Sequence, residues 1–237
     1  MKMLELQDVN AYYGDSHVIQ GLSLYANKGE AVSILGRNGV GKTTTFRAIM
    51  GFTPPRSGSI RIAGIETTGW PPHKVVTEGG LAYIPAERHI FADLSVKENL
   101  KLAERRPHGR SIWNIDRVYR DFPILRVREK QDGATLSGGE QQMLAIARGL
   151  MGNPRTILLD EPSQGLAPMI IKTVVEIVQE LCKGEDFTLI LVEQNFRVAM
   201  KLATRHYLMD IKGKINCDMT NEECIDDMET LKRHLSI

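Results

Sequence analysis

The run Gly36-Arg37-Asn38-Gly39-Val40-Gly41-Lys42-Thr43 limits this chain more than any other feature. It fits G-x-x-x-x-G-K-[ST], a loop whose glycines let backbone N–H groups turn inward around phosphate oxygens. The flanks agree. Glu30 to Leu35 reads as a buried strand, and Lys42 to Met50 reads as the helix that follows. A helix N-terminus presents orphan N–H groups and the positive end of its dipole, which is what an anionic phosphate requires. Lys42 is placed to reach the β/γ oxygens of a nucleotide, and the Thr43 hydroxyl is a hard oxygen suited to Mg²⁺. The candidate nucleotide-binding set is therefore Gly36, Arg37, Asn38, Gly39, Val40, Gly41, Lys42, Thr43 and Thr44.

Far downstream stands Leu136-Ser137-Gly138-Gly139-Glu140. Ser137 supplies a hydroxyl, and Gly138 and Gly139 are expected to expose N–H groups at the start of a helix from Glu140 to about Met151. That makes a second anion site in one chain, and a single nucleotide cannot easily use both within one subunit.

With Gln141 and Gln142 following the pentapeptide, the chain resembles the ATP-binding cassette (ABC) family of ATPases over nearly its whole length. The resemblance implies an α/β P-loop NTPase fold with a RecA-like parallel core, an antiparallel β layer and a helical subdomain near residues 87–153, all in one domain spanning 1–237. It implies ATP and Mg²⁺, and a second cassette as partner. Two cassettes pair head to tail in this family, and Leu136–Glu140 of one closes on the γ-phosphate held by the other. Arg155-Thr156-Ile157-Leu158-Leu159-Asp160-Glu161 matches the family's Walker B strand, which ends in two carboxylates. Strand alternation sends adjacent side chains to opposite sides, so the two acids are expected to differ in role. Asp160 is expected to hold the Mg²⁺ shell and Glu161 to polarise the attacking water as general base.

Other family positions carry over singly. Tyr13 stands where the family places a ring under adenine, with Tyr12 as the competing candidate. Pro162 to Pro168 fills the loop that crosses the dimer, with Ala167 in place of the acid common elsewhere. Gln194 replaces the usual His that contacts the γ-phosphate; its amide can donate an N–H but cannot become charged. Ser163–Pro168, Val192–Asn195 and Gly139–Arg148 are together similar to the second ATPase of branched-chain (hydrophobic) amino-acid importers and to their urea/amide relatives. Arg37–Val40 and Pro71-Pro72-His73 lean towards the urea type. That branch implies two membrane permease subunits, a solute-binding protein acting indirectly, and a place on the inner face of the plasma membrane. One position departs from the pattern. In Pro85-Ala86-Glu87-Arg88, Ala86 occupies a site normally held by Gln or Glu, whose side chain touches Mg²⁺ or the attacking water.

The remaining features exclude more than they add. Thirty basic and twenty-nine acidic residues give a formal charge of +1, which argues against a broad nucleic-acid surface. The run Arg105 to Arg110 reads as a solvated loop. Cys182, Cys217 and Cys224 lack C-x-x-C spacing and read as reduced thiols, and the six histidines show no metal-ligand spacing. No signal-like or membrane-length apolar stretch is expected. Short strands are expected at Leu4–Val9, Leu22–Tyr25 and Ser59–Ile65, and a helical stretch from Val96 through Arg128. Alternating elements follow at Pro168–Gly184, Thr188–Val192 and Asn195–Ala203, and Thr220-Asn221-Glu222-Glu223 reads as the cap of a last helix. Three classes are weighed: an importer ATPase with a lipid or polysaccharide exporter as variant, a soluble ABC protein acting on DNA or ribosomes, and an unrelated P-loop kinase or GTPase. The second is disfavoured because neither a long coiled coil nor a second cassette is present. The third lacks a guanine-reading Asn-Lys-x-Asp after the loop.

Overall fold

Apolar runs too uniform to show an inside and an outside in the sequence are the central strands of a sheet buried on both faces. A computed structural model describes residues 1–105, 112–184 and 187–235. Its strands are β1 (Lys2–Tyr13), β2 (Ser16–Asn27), β3 (Ala31–Leu35), β4 (Ser57–Ile62), β5 (Ile65–Glu66), β6 (Leu81–Ile84), β7 (Thr156–Asp160), β8 (Thr188–Glu193), β9 (Arg205–Met209) and β10 (Ile215–Thr220). The helices are α1 (Lys42–Ile49), α2 (Pro72–Thr77), α3 (Val96–Ala103), α4 (Ile115–Asp121), α5 (Pro123–Val127), α6 (Gly138–Met151), α7 (Pro168–Gly184), α8 (Phe196–Leu202), α9 (Asn221–Asp226) and α10 (Met228–Leu235).

Two sheets organise them. A six-stranded sheet runs in the order β10-β9-β3-β8-β7-β6, parallel except for the edge pair β9–β10. An antiparallel four-stranded sheet runs β2-β1-β4-β5. Alternation along the parallel strands sorts their side chains into two cores. Val32, Ile34, Leu158, Ile190 and Val192 pack towards the antiparallel sheet with Phe46 and Ile49 of α1. Leu35, Ile157, Leu159, Leu189 and Leu191 pack against the helices on the other side, with Leu144, Val174 and Val198.

Several elements differ from the sequence reading for identifiable reasons. The first hairpin is longer than expected at both strands, because bulges interrupt its alternation; Asp8, at φ 48, sits in one of them. The span Val96–Arg128 is broken among its described residues into three helices, with Asn114 capping α4 and Pro123 opening α5. Thr220 does form a capping box with Glu223, but the helix it starts is followed by α10. The basic run keeps only Arg105 in view; residues 106–110 lie outside the described residues.

Candidate active site

Four adjacent parallel strands, β3, β8, β7 and β6, deliver their following loops to one edge of the sheet, the usual place for a ligand in an open α/β fold. Gly36–Thr43 follows β3, Glu161 follows β7, Gln194 follows β8 and Pro85 follows β6.

The glycine loop turns at Gly41, which has φ 113 and caps α1 without a side chain. Its backbone makes it glycine, because an L side chain rarely adopts that φ; a Cβ there would also press on the end of the Ile19 side chain, 2.7 Å from Cδ1. The first helical bond runs from Thr45 N–H to Gly41 C=O, so the N–H groups of Lys42, Thr43 and Thr44 belong to the open helix end. Arg37, Asn38, Gly39 and Thr43 are exposed, Thr44 is half-buried, and Gly36, Val40 and Lys42 are buried. Lys42 lies along the loop, donating from Nζ to Gly36 O at 2.9 Å and Arg37 O at 3.0 Å. Its third partner is Glu161 Oε1 at 3.1 Å. All three ammonium hydrogens are thereby matched.

Asp160 ends β7 almost fully buried, and its oxygens are divided between two donors. Thr43 Oγ1 donates to Oδ1 at 3.2 Å and Tyr83 Oη donates to Oδ2 at 2.9 Å. Burial pushes the Asp160 carboxyl up to about 6; the hydrogen bonds from Tyr83 and Thr43 oppose the rise, and the charges of Glu161 and Glu87 add to it. Burial, together with the carboxylate it faces, also raises the Tyr83 hydroxyl, which therefore stays a donor. The hydroxyl and carboxylate oxygens of Thr43 and Asp160 form a hard donor set that fits Mg²⁺. Tyr83 was not anticipated. The only trace of it in the sequence is a tyrosine near the end of a strand that runs into the Pro85 loop.

Glu161 and Asp160 do diverge, but not by strand alternation. β7 stops at Asp160, and Glu161 takes a left-handed turn at φ 41 while its N–H still bonds Val192 O at 2.9 Å. That turn swings its carboxylate to Lys42. Gln194 is exposed beyond the end of β8 and lines a cavity of about 260 Å³ with Glu161, Ser163 and Gln164. Ala86 is half-buried and Glu87 exposed. Tyr13 lies 69% exposed at the hairpin tip. Tyr12 is engaged by His17, stacked at 4.2 Å, and by the Arg56 guanidinium at 3.8 Å, which favours Tyr13 as the adenine platform.

At the candidate second anion site, Leu136–Glu140, the structure shows a capped helix start. Ser137 caps α6 in a reciprocal box, Ser137 N–H to Glu140 Oε2 at 2.8 Å and Glu140 N–H to Ser137 Oγ at 3.4 Å. Arg128 Nε donates to Glu140 Oε1 at 3.0 Å, so both oxygens of Glu140 are held within the subunit. Burial works to raise the Glu140 carboxyl, but the Ser137 and Arg128 bonds outweigh it and hold it below the usual range. Leu136 is buried, Ser137 exposed and Gly138 half-buried. Gly139 is buried, and a Cβ on it would come within 2.3 Å of Ile170 Cγ2, so its missing side chain serves α6–α7 packing.

Comparison with known proteins identifies relatives of this chain. The family described as "ABC transporter" matches residues 19–164. The high-affinity branched-chain amino acid transport ATP-binding protein BraG of Pseudomonas aeruginosa is 41% identical over 214 residues, 90% of this chain and 91% of that protein. The probable branched-chain amino acid transport ATP-binding protein LivF of Archaeoglobus fulgidus is 33% identical, covering 94% of each chain. The lipopolysaccharide export system ATP-binding protein LptB of Escherichia coli is 32% identical, covering 98% of this chain and 96% of that one. Among solved structures, a nucleotide-free ATP-binding cassette from an ABC transporter superposes with a TM-score of 0.84 at 24% identity, over 100% of this chain and 99% of that chain, which speaks to the fold. This chain therefore belongs to the ABC transporter family, as an ATP-binding and ATP-hydrolysing subunit.

Proposed function

We propose that this chain energises an importer of branched-chain or other hydrophobic amino acids. The observation that carries the reading is its 41% identity to BraG across nine-tenths of both chains. Residues 1–237 act as one cassette, with about 87–153 as its helical subdomain, and two cassettes close head to tail around ATP. The exporter relatives at 32% identity cover the chain equally fully, and they make lipopolysaccharide export the second reading; a urea/amide importer is a variant of the first.

In the proposed cycle the open α1 N-terminus and Lys42 take the phosphates, and Tyr13 supports the base. Thr43 and Asp160 would hold Mg²⁺, whose charge offsets that of the phosphates. Glu161 leaves Lys42 when the ammonium turns to phosphate, and its freed carboxylate accepts the proton of the attacking water. Gln194 donates its amide N–H to the γ-phosphate, and Ser137 and Gly138 of the second cassette close the opposite side. Among the described residues no helix is long and apolar enough to cross a membrane, so the membrane path is assigned to permease subunits. A groove of about 290 Å³ suits their docking. It is lined by Phe52, Tyr83 and Leu102, with Arg88, Arg105 and Arg148 supplying positive charge. The solute-binding protein would act through the permeases, and the cassette would sit on the inner membrane face.

Deleting the gene and measuring uptake of labelled leucine and urea, with identification of the membrane proteins that co-purify with the chain, tests this. Loss of leucine uptake and recovery of two permeases are expected. Intact leucine uptake together with recovery of lipopolysaccharide-export components would replace the reading with the second one.

A further inference from the structure

Glu193, the last residue of β8, is 1% exposed, and its carboxylate faces three backbone N–H groups. Oε1 accepts from Ser163 N–H at 3.1 Å. Oε2 accepts from Gln194 N–H at 3.0 Å and Asn195 N–H at 2.9 Å. The donors come from two loops: the one after Glu161, and the one that opens α8. A buried carboxylate is costly unless its oxygens are matched, and here the three backbone N–H groups are joined by the Ser163 hydroxyl, so Ser163 holds it through both side chain and main chain. Ordinary capping does not explain it, because Asn195 already caps α8 by accepting from Arg197 and Val198 N–H. The Ser163 loop has its own turn bonds, from Gln164 N–H to Glu161 O and from Leu166 N–H to Ser163 O. What Glu193 adds is a bridge between the loops. Only an acceptor with two oxygens on a side chain of this length reaches both, and the loops it joins enclose the cavity that Glu161 and Gln194 share.

We propose that Glu193 is a positioning residue that sets Gln194 relative to Glu161 by tying it to the Pro162–Pro168 loop. Movement of that loop against a second cassette is thereby passed to the group that meets the γ-phosphate. The inference rests on the assignment of Gln194 given under the proposed function.

The test compares steady-state ATP hydrolysis by the full chain with Glu193→Gln, Gln194→Ala and the double variant, alongside ATP affinity and Tm. Glu193→Gln is isosteric and replaces one accepting oxygen with a donor, so it breaks one arm of the bridge. The expected result is a kcat lowered about tenfold with KM and ATP affinity within about twofold, a loss that shrinks below about twofold in the Gln194→Ala background. A purely structural role would lower Tm and affinity and would act equally in both backgrounds. Equal losses in both backgrounds, with Gln194→Ala itself impaired, overturn the role of Glu193 and leave that of Gln194 standing. Wild-type turnover in Gln194→Ala overturns both. Should Glu193→Gln not fold, Glu193→Asp, which keeps both oxygens but withdraws them by one methylene, gives the same comparison.

Discussion

Replacing Glu161 with Gln tests two roles of one carboxylate at once. Its Oε1 lies 3.1 Å from Lys42 Nζ, with side chains 14% and 3% exposed, so the pair is shielded from bulk water. ATP must displace this contact before Lys42 can reach phosphate. A hydrogen bond to a charged group is worth about 1.5–3 kcal/mol net, and bonds with an ionised partner are roughly twice as strong as neutral ones. Gln retains an acceptor but not the charge. About 1 kcal/mol of opposition to ATP is then removed, which corresponds to roughly fivefold tighter binding. Loss of a negative charge beside the phosphates acts in the same direction. Turnover should fall by about 10²-fold or more, because the proton acceptor is gone. Equilibrium ATP binding in EDTA isolates the first effect from metal, and phosphate release measures the second. Unchanged or weaker binding would refute the exchange of partners by Lys42. Turnover within about threefold of wild type would refute Glu161 as base.

Ser137→Arg should abolish hydrolysis while monomer ATP affinity stays within about twofold, if, as proposed, that residue serves the nucleotide of a second cassette; losing the α6 cap should cost about 1 kcal/mol of stability, visible in Tm. A large loss of monomer affinity would contradict the trans arrangement. Ala86→Gln should keep ATP binding and preserve or raise hydrolysis, because its amide oxygen would replace a water around Mg²⁺; an inactive variant refutes this. His206→Gln should flatten the acid dependence of Tm. His206 is fully buried between Ser33 Oγ at 2.6 Å and Asn221 Oδ1 at 2.5 Å, and burial holds its pKa below the usual value despite the Asn221 bond. The unfolded chain therefore takes up that proton first, so this contribution to stability is complete above about pH 6.5 and lost as pH falls below it. Buried acids such as Asp160 act in the opposite sense, so the comparison to make is wild type against variant between pH 7.5 and 5.5. Equal slopes would refute it.

The local form of the glycine loop was legible in the sequence because it depends on near neighbours: a strand (β3), a turn at Gly41 that needs no side chain, and a helix (α1) that follows. The apolar runs at β7 and β8 were legible for a similar reason, since strands buried on both faces admit little else. Contacts between distant segments were not. Tyr83 and Asp160 meet because β6 and β7 are neighbours, and a sheet order with crossovers leaves no local mark in the chain. Arg128 reaches Glu140 through a packed helical layer, and Gly139 is glycine because Ile170 of α7 lies against it; neither demand shows in the residues beside them. Glu161 looked like the next step of a strand, but a turn at φ 41 sends it to Lys42. Where neighbouring residues supply the constraint, as in the Gly41 turn, the acid pair at the end of β7 and the Ser137 cap of α6, the linear chain was enough. Which donors hold Asp160, what restrains Lys42, and that Glu193 joins two loops came from the folded arrangement, because each depends on groups brought together by sheet order and packing instead of by proximity along the chain.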